Sequence, residues 1–363
     1  MDHKGRRKRL QLTLEAAKLD AVLVTHLPNI RYLCGFTGSS AALLVTPGKS
    51  VFFTDGRYNE QARAEVQGSR VVIAGKPPVA AVVDWLEGNL AKKKSRVNIG
   101  IEAEHFTVAQ RTWLHRKVRS RFRLVEAPPL VERMRIIKDA DEIELLRAAV
   151  LLGAGLFDTA LKTIRPGVKE SEVAAEMEYA ARRAGAQAMS FSTIIASGTR
   201  SALPHGVATE ARIPSRGFVV CDFGVILTGY CSDMTRTVHV GRPTAEARNF
   251  YGAVREAQEA AVQAVRPGVS VAEVDRAARM LLKKHGLGRH FTHSTGHGVG
   301  LEIHEAPRVA LGGAEILRPG MVITIEPGAY IAGKGGVRIE DMVVVTEQGC
   351  EVLTPTSKEL VTA

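Results

Sequence analysis

Five short apolar runs, at 21–24, 41–45, 51–54, 71–74 and 97–101, alternate with stretches of helical period at 58–66 and 79–90. Runs of that length between polar and turn residues predict strands, so the first 130 residues read as an α/β domain. Pro128-Pro129 marks its end, because paired prolines punctuate regular structure. Beyond it the period changes. Ile143, Leu146, Val150, Phe157, Leu161 and Ile164 recur at helical spacing and predict a long helix over 139–164, stopped by Arg165-Pro166-Gly167. Domains are therefore expected at 1–130 and 131–363.

The second part carries a faint internal repeat. Arg165-Pro166-Gly167-Val168 followed by Glu172-Val173 recurs as Arg266-Pro267-Gly268-Val269 followed by Glu273-Val274. Each copy follows one helical stretch and leads into another, which suggests two related α/β halves with a site at their junction. Chance reuse of a common helix-stop signal explains the same strings.

After each copy comes a pair of strand-like runs bearing carboxylates. The runs 219–224 and 230–238 flank a short connection ending in Gly229 and predict a β-hairpin. An even-sized loop centred between Leu227 and Thr228 sets Asp222 directly across from Asp233. Like charges so placed destabilise a bare hairpin, whereas a bound cation reverses the sign. Two aspartates exposed beside a turn are the plainer alternative. The runs 321–326 and 337–345 form a second predicted hairpin around Pro327 and a glycine-rich connection. Alternation puts Thr324 and Glu326 on one face, with Arg338 and Glu340 sharing a face of the partner strand. Such residues are poor core material unless something charged binds there; a simple Glu–Arg338 ion pair is the competing explanation.

Between the hairpins, His293, His297 and His304 fall within twelve residues, interleaved with glycines that permit close backbone approach. His205 stands apart in Pro204-His205-Gly206. Four carboxylates and an imidazole, namely Asp222, Asp233, His297, Glu326 and Glu340, form a donor set suited to two divalent ions such as Mn²⁺, Co²⁺ or Zn²⁺ rather than one structural zinc.

The ordered string Asp222, Asp233, Gly-His297-Gly, Ile-Glu326-Pro-Gly and Arg338-Ile-Glu340-Asp341 resembles the dinuclear-metal "pita-bread" peptidases, which include prolidase, aminopeptidase P and methionine aminopeptidase. The segments 32–38 and 54–58 resemble the creatinase-like amino-terminal domain of the proline-specific branch. The resemblance implies an α/β amino-terminal domain followed by a pseudo-symmetric catalytic domain. It implies that Asp222 chelates one metal and His297 and Glu326 the other, with Asp233 and Glu340 bridging both. Glu326 would be general base, His205 and His304 would bind substrate and stabilise the tetrahedral intermediate, and His293 and Arg338 would line the substrate site. No position departs from the family's pattern, which argues against a metal-free amidinohydrolase or a dead scaffold. The implied reaction is hydrolysis of the Xaa-Pro bond of a dipeptide, or of a longer peptide's amino terminus, by a water activated between two ions. The implied cofactor is a pair of divalent ions, Mn²⁺ first, with Co²⁺ or Zn²⁺ admitted, and the implied assembly is a homodimer.

Composition narrows the rest. At 363 residues, 45% hydrophobic and 24% charged, the chain has a globular balance. No apolar run reaches the roughly 18 residues needed to span a bilayer. The basic start leads into a polar stretch rather than a signal core, so the cytoplasm is expected. The net charge of +11 comes from Arg6-Arg7-Lys8-Arg9, Lys92-Lys93-Lys94 and the run 111–123, with only 5% aromatic residues. A solvated basic face is expected, with no specific nucleic-acid partner. Cys34, Cys221, Cys231 and Cys350 form no Cys-x-x-Cys pair and read as free thiols. A metal-free peptide- or nucleic-acid-binding scaffold is the non-enzyme alternative, and its mark would be lost ligands. A methionine aminopeptidase fits less well, since those enzymes usually lack such an amino-terminal domain.

Overall fold

The computed structural model describes residues 1–89 and 96–363, which divide into two compact units, Met1–Arg135 and Ile136–Ala363. The predicted helix end at Leu90 and the basic run Lys92-Lys93-Lys94 lie outside the described residues.

The first unit runs α1 (His3–Ala16), β1 (Ala21–Val24), α2 (Leu27–Cys34), β2 (Ala42–Thr46), β3 (Lys49–Asp55), α3 (Asn59–Glu65), β4 (Arg70–Ala74), α4 (Pro78–Asn89), β5 (Val97–Glu102), α5 (Val108–Lys117), β6 (Phe122–Ala127) and α6 (Leu130–Arg135). All five predicted strands appear. They join one six-stranded sheet in the order β4-β3-β2-β1-β5-β6, whose apolar side chains form a core with Val82 and Leu86 of α4. The stretch 58–66 begins as a 3₁₀ turn, because the Asp55 carboxylate accepts the Arg57 N–H and starts the helix early. The basic start is a helix whose buried side mixes Leu10 and Leu14 with His3, Arg6 and Arg7. Arg6 lies 4.1 Å over the Tyr32 ring and donates to the Tyr32 carbonyl at 3.2 Å.

The second unit begins with α7 (Ala140–Thr163), α8 (Glu170–Arg183), β7 (Ala188–Met189), β8 (Ile194–Ser197), β9 (Gly217–Phe223), β10 (Val225–Leu227), β11 (Tyr230–Cys231) and β12 (Met234–Val240). It continues with α9 (Ala245–Ala264), α10 (Val271–Lys284), β13 (Gly296–Gly298), β14 (Glu305–Val309), β15 (Val322–Ile325), β16 (Gly328–Ile331), β17 (Gly335–Arg338), β18 (Asp341–Val345) and β19 (Cys350–Val352). Asp139 caps α7 and Ile164 ends it, as the 139–164 periodicity predicts.

The internal repeat has a structural cause. Gly167 and Gly268 occupy the same left-handed backbone region, φ 87° and 86°, where glycine carries no Cβ penalty. Their N–H groups donate to the Ile213 and Leu317 carbonyls at 2.8 and 2.9 Å. Glu172 and Glu273 reach back to the cap backbone of α8 and α10, the capping-box role that fixes a glutamate three residues into a helix. Each helix pair then packs on its own sheet, α7 and α8 on β12-β9-β8 and α9 and α10 on β14-β13-β15-β18-β19.

The first hairpin differs from expectation. Asp222 pairs with Thr235 rather than Asp233. Thr228 and Gly229 both adopt positive φ, 49° and 80°, and form the two-residue loop between the paired Leu227 and Tyr230. Such a primed turn matches strand twist. It lies one position later than the expected centre, so Asp233 faces the Gly224 level and sits diagonally from Asp222.

Candidate active site

The carboxylates lie where hairpins come apart. Asp233 falls in the break between β11 and β12, bridged by the Ser232 hydroxyl accepting the Val225 N–H at 2.9 Å. The second hairpin is likewise two ladders, β15 with β18 and β16 with β17. Glu326 and Glu340 occupy the gap, opposite each other if either register is continued. Backbone released from its ladder at a strand break lets a side chain turn out of the pleat, and the Glu326 and Glu340 N–H groups donate instead to the Thr295 and Thr235 carbonyls at 2.7 and 3.1 Å. His297 lies in β13, whose register shifts after it.

These breaks open on a cleft of about 610 Å³ in the second unit. All nine residues singled out in the sequence line it: His205, Asp222, Asp233, His293, His297, His304, Glu326, Arg338 and Glu340. Phe191, Ile194, Val207 and Ile303 supply an apolar wall.

Asp233, His297 and Glu340 offer ligand atoms all within 4.8 Å of one another. The His297 Nε2 stands 3.5 Å from an Asp233 oxygen and 3.6 Å from one of Glu326. Its Nδ1 lies 3.0 Å from the Gly298 carbonyl, which accepts a hydrogen bond from the Nδ1–H and leaves the Nε2 lone pair facing the carboxylates. Burial pushes the imidazole down to about 4, so it is neutral. A carbonyl behind the ring is how proteins orient a metal-binding histidine. Burial, then the neighbouring carboxylates Glu340, Asp222 and Glu326, holds Asp233 well above its ordinary range. Glu340 is raised by burial and then by Glu326 and Asp222. Burial pushes Glu326 up to about 7, with Arg338 opposing and Asp222 adding to it. Buried oxygens of Asp222 (Oδ1) and Glu340 (Oε1) have no hydrogen-bond partner. Four crowded carboxylates, two with orphaned oxygens, and one neutral imidazole form a set that divalent cations satisfy.

The Asp222 carboxylate also meets Arg338 at 2.5 Å, so the sequence alternative of a Glu326–Arg338 pair is replaced by an Asp222–Arg338 one. Tyr330 went unmarked in the sequence, where an aromatic in a strand reads as core. Its hydroxyl accepts from Arg338 at 2.7 Å and lies 3.0 Å from the His293 Nε2. The His293 Nδ1 is 2.8 Å from the Ser294 carbonyl, and burial pushes this ring down to about 4. The neutral ring therefore donates from Nδ1 and accepts the Tyr330 proton at Nε2. Thr235 was missed too. Its hydroxyl donates to Glu340 at 2.7 Å and accepts from the Arg338 Nε at 3.0 Å.

Supporting contacts hold the histidine segments. Arg279 of α10 donates to the His293 carbonyl at 2.6 Å, and Asp275 accepts from Thr295 at 2.8 Å. A buried Lys138–Glu305 pair at 3.2 Å pins the strand that follows His304, whose ring packs edge-on against His297 at 4.4 Å. Pro204, beside His205, accepts from Arg338 at 2.9 Å. Cys34, Cys221, Cys231 and Cys350 are all free.

Residues 144–347 match metallopeptidase family M24, and residues 6–137 match the creatinase/prolidase N-terminal domain. A Xaa-Pro dipeptidase of Pyrococcus furiosus is 37% identical over 358 residues, covering 98% of this chain and 99% of that protein. A solved Xaa-Pro dipeptidase from Bacillus anthracis aligns with a TM-score of 0.94 at 39% identity, over 99% of this chain and 100% of that one. An X-Pro aminopeptidase structure from Thermotoga maritima MSB8 gives a TM-score of 0.89 at 34% identity, over 97% and 100%. The chain thus belongs to metallopeptidase family M24, in the form that carries a creatinase/prolidase N-terminal domain, and is a peptidase dependent on divalent metal ions.

Proposed function

We propose that the protein is a prolidase-like Xaa-Pro dipeptidase working with two divalent ions. The observation that carries this reading is the gathering of four carboxylates and a neutral His297 Nε2 in one cleft beside Arg338. The relatives named as Xaa-Pro dipeptidases over nearly the full chain supply the substrate class. Asp222, Asp233, His297, Glu326 and Glu340 would hold the ions. Bound there, divalent ions lower the pKa of a water and polarise a scissile carbonyl.

The side chains do the rest. Glu326 takes a proton at its carboxylate and passes it to the departing proline nitrogen. His304, which burial shifts towards its neutral form, and His205 donate to the oxygen on which charge develops. His293 and Arg338 line the substrate's seat, the first held by Tyr330 and the second by Asp222. A proline amide lacks the N–H that most peptidases grip, so recognition falls on shape and on the peptide's charged ends. Mn²⁺ is the proposed resident ion, since the oxygen-rich donor set suits it, with Co²⁺ or Zn²⁺ as substitutes. A homodimer, a cytoplasmic location and domain limits of 1–130 and 131–363 complete the reading, drawn from the family likeness and the sequence pattern.

The likeness to an X-Pro aminopeptidase favours one second reading, cleavage at the amino terminus of longer peptides. Hydrolysis of Ala-Pro, Ala-Pro-Ala and Met-Ala-Ala by metal-stripped protein, before and after adding Mn²⁺, Co²⁺ or Zn²⁺, decides. Metal-dependent cleavage of Ala-Pro alone is expected. Preference for Ala-Pro-Ala selects the aminopeptidase, and inactivity on all three with every metal overturns both.

A further inference from the structure

Behind the cleft lies a buried network that the reading above does not use. Arg236 of β12 is 2% exposed, and a guanidinium has five N–H bonds. Each finds an acceptor. Nε donates to Ser357 O at 3.0 Å, one terminal nitrogen to Thr235 O and Glu340 O at 2.9 and 2.5 Å, and the other to Asp341 Oδ1 and Thr356 O at 2.7 and 2.6 Å. Asp341, fully buried, also accepts from Gln258 at 2.9 Å and Lys358 at 3.0 Å. The guanidinium therefore ties three separate pieces of chain together: β12, the 340–341 break and the segment 356–358.

One of these ties reaches Glu340 directly, and Thr235 beside Arg236 supplies two more. At Glu340 the carbonyl accepts from Arg236, the N–H donates to Thr235 O at 3.1 Å, and Oε2 accepts from the Thr235 hydroxyl at 2.7 Å. One atom is left over: Oε1, buried and without a partner. Replacing a buried ion pair by apolar residues is often neutral or stabilising, so stability alone is a weak reason for Arg236 and Asp341 to be here. A group with five fixed acceptors is, in contrast, well suited to holding a backbone in one position.

We propose that Arg236 is a positioning residue, and that Arg236, Asp341 and residues 356–358 form a clamp that fixes the free Glu340 oxygen for the cation. The clamp rests on the metal-binding reading above. It acts across the two halves of the unit, since Arg236 belongs to the first hairpin and Glu340 and Asp341 to the second.

The experiment is calorimetric titration of metal-stripped protein with Mn²⁺, using the full chain, Arg236→Lys and Lys358→Met, with metal-free melting temperatures and Ala-Pro kinetics in parallel. Lysine keeps the charge but cannot span five acceptors. Arg236→Lys is expected to raise the Mn²⁺ dissociation constant about tenfold or more and to lower kcat while leaving KM nearly unchanged. Lys358→Met removes one of three bonds to Asp341 and is expected to raise the constant about threefold. Losing a positive charge would by itself tighten cation binding, so weakening reports geometry. Unchanged affinity in folded Arg236→Lys, whatever its melting temperature, overturns the clamp. If Arg236→Lys does not fold, unchanged or tighter binding in Lys358→Met overturns it. Unmodified protein that takes up no Mn²⁺ overturns the metal-binding reading itself.

Discussion

At the scale of single residues, the ring nitrogens separate two kinds of histidine. His297 donates backwards to a carbonyl and offers Nε2 to the carboxylates, whereas the Nε2 of His293 is engaged by Tyr330. Tyr330→Phe removes that proton and the acceptor for Arg338. It should fold normally and lower kcat/KM on Ala-Pro about tenfold, a loss of about 1.4 kcal/mol of transition-state stabilisation, with Mn²⁺ affinity unchanged. Glu340→Ala and His304→Ala should part in the same way. The first should lose activity and bound metal together, and the second should keep its metal while kcat falls about 10²-fold or more. Metal analysis beside steady-state kinetics reads both; an active Glu340→Ala with full metal content would remove Glu340 from the ligand set.

At the scale of elements, the site depends on strands that stop pairing at chosen positions. Gly296 shows how tight the result is. A Cβ there would stand 1.9 Å from the backbone oxygen of Thr324, and the next residue, His297, donates its N–H to the Thr324 hydroxyl at 3.1 Å. Gly296→Ala should therefore push β13 off β15, cost about 3 kcal/mol of stability and sharply reduce activity. Denaturant unfolding and Ala-Pro hydrolysis check this. A variant of normal stability and activity would show that the strand can give way. The register error in the first hairpin arose at this scale too. A threonine at positive φ is uncommon, and Thr228 in that region moves the turn by one residue and changes every partner in the ladder.

At the scale of the molecule, the first hairpin supplies Asp222 and Asp233 and the second half supplies His297, Glu326 and Glu340, so metal and fold should be linked. Glu326, pushed up to about 7, stabilises the metal-free fold below its unfolded value of 4.5, and that stability is lost as pH rises through 7. Asp233 and Glu340 act in the same sense. His293 and His297, held near 4, contribute stability above 6.5 that is lost as pH falls towards 4. Above pH 6.5 the unfolded histidines are already more than half neutral, so their opposing contribution fades and the raised carboxylates set the slope. The melting temperature of metal-free protein should fall from pH 6.5 to 8, while Mn²⁺ at 100 times its dissociation constant should add about 2.7 kcal/mol. Thermal melts in chelator and in Mn²⁺ test both, and a chelated protein that grows more stable over this range would contradict the crowding of these carboxylates.

Much of this could be read from residue order alone. Apolar runs in the first 130 residues marked strands because a run of four or five can be little else between turn residues. The repeated Arg-Pro-Gly-Val strings marked two halves because a left-handed glycine and a capping glutamate leave local signatures, as at Gly167 with Glu172 and Gly268 with Glu273. Asp222, Asp233, Glu326, Arg338 and Glu340 were identifiable because charge beside apolar strand positions is costly without a partner, whereas His205, His293, His297 and His304 were marked by their glycine-rich settings and by the family resemblance. What the sequence could not provide was pairing across distance. That Asp222 meets Arg338 and Thr235 rather than facing Asp233, and that Glu326 faces Glu340 across a gap, follows from turn dihedrals and ladder breaks. Tyr330, Thr235 and Arg236 looked like ordinary strand residues, because their partners lie up to 121 positions away. A side chain's neighbours in sequence are set by the chain, but its hydrogen-bond partners are set by which strands pack together, and only the tertiary structure decides that.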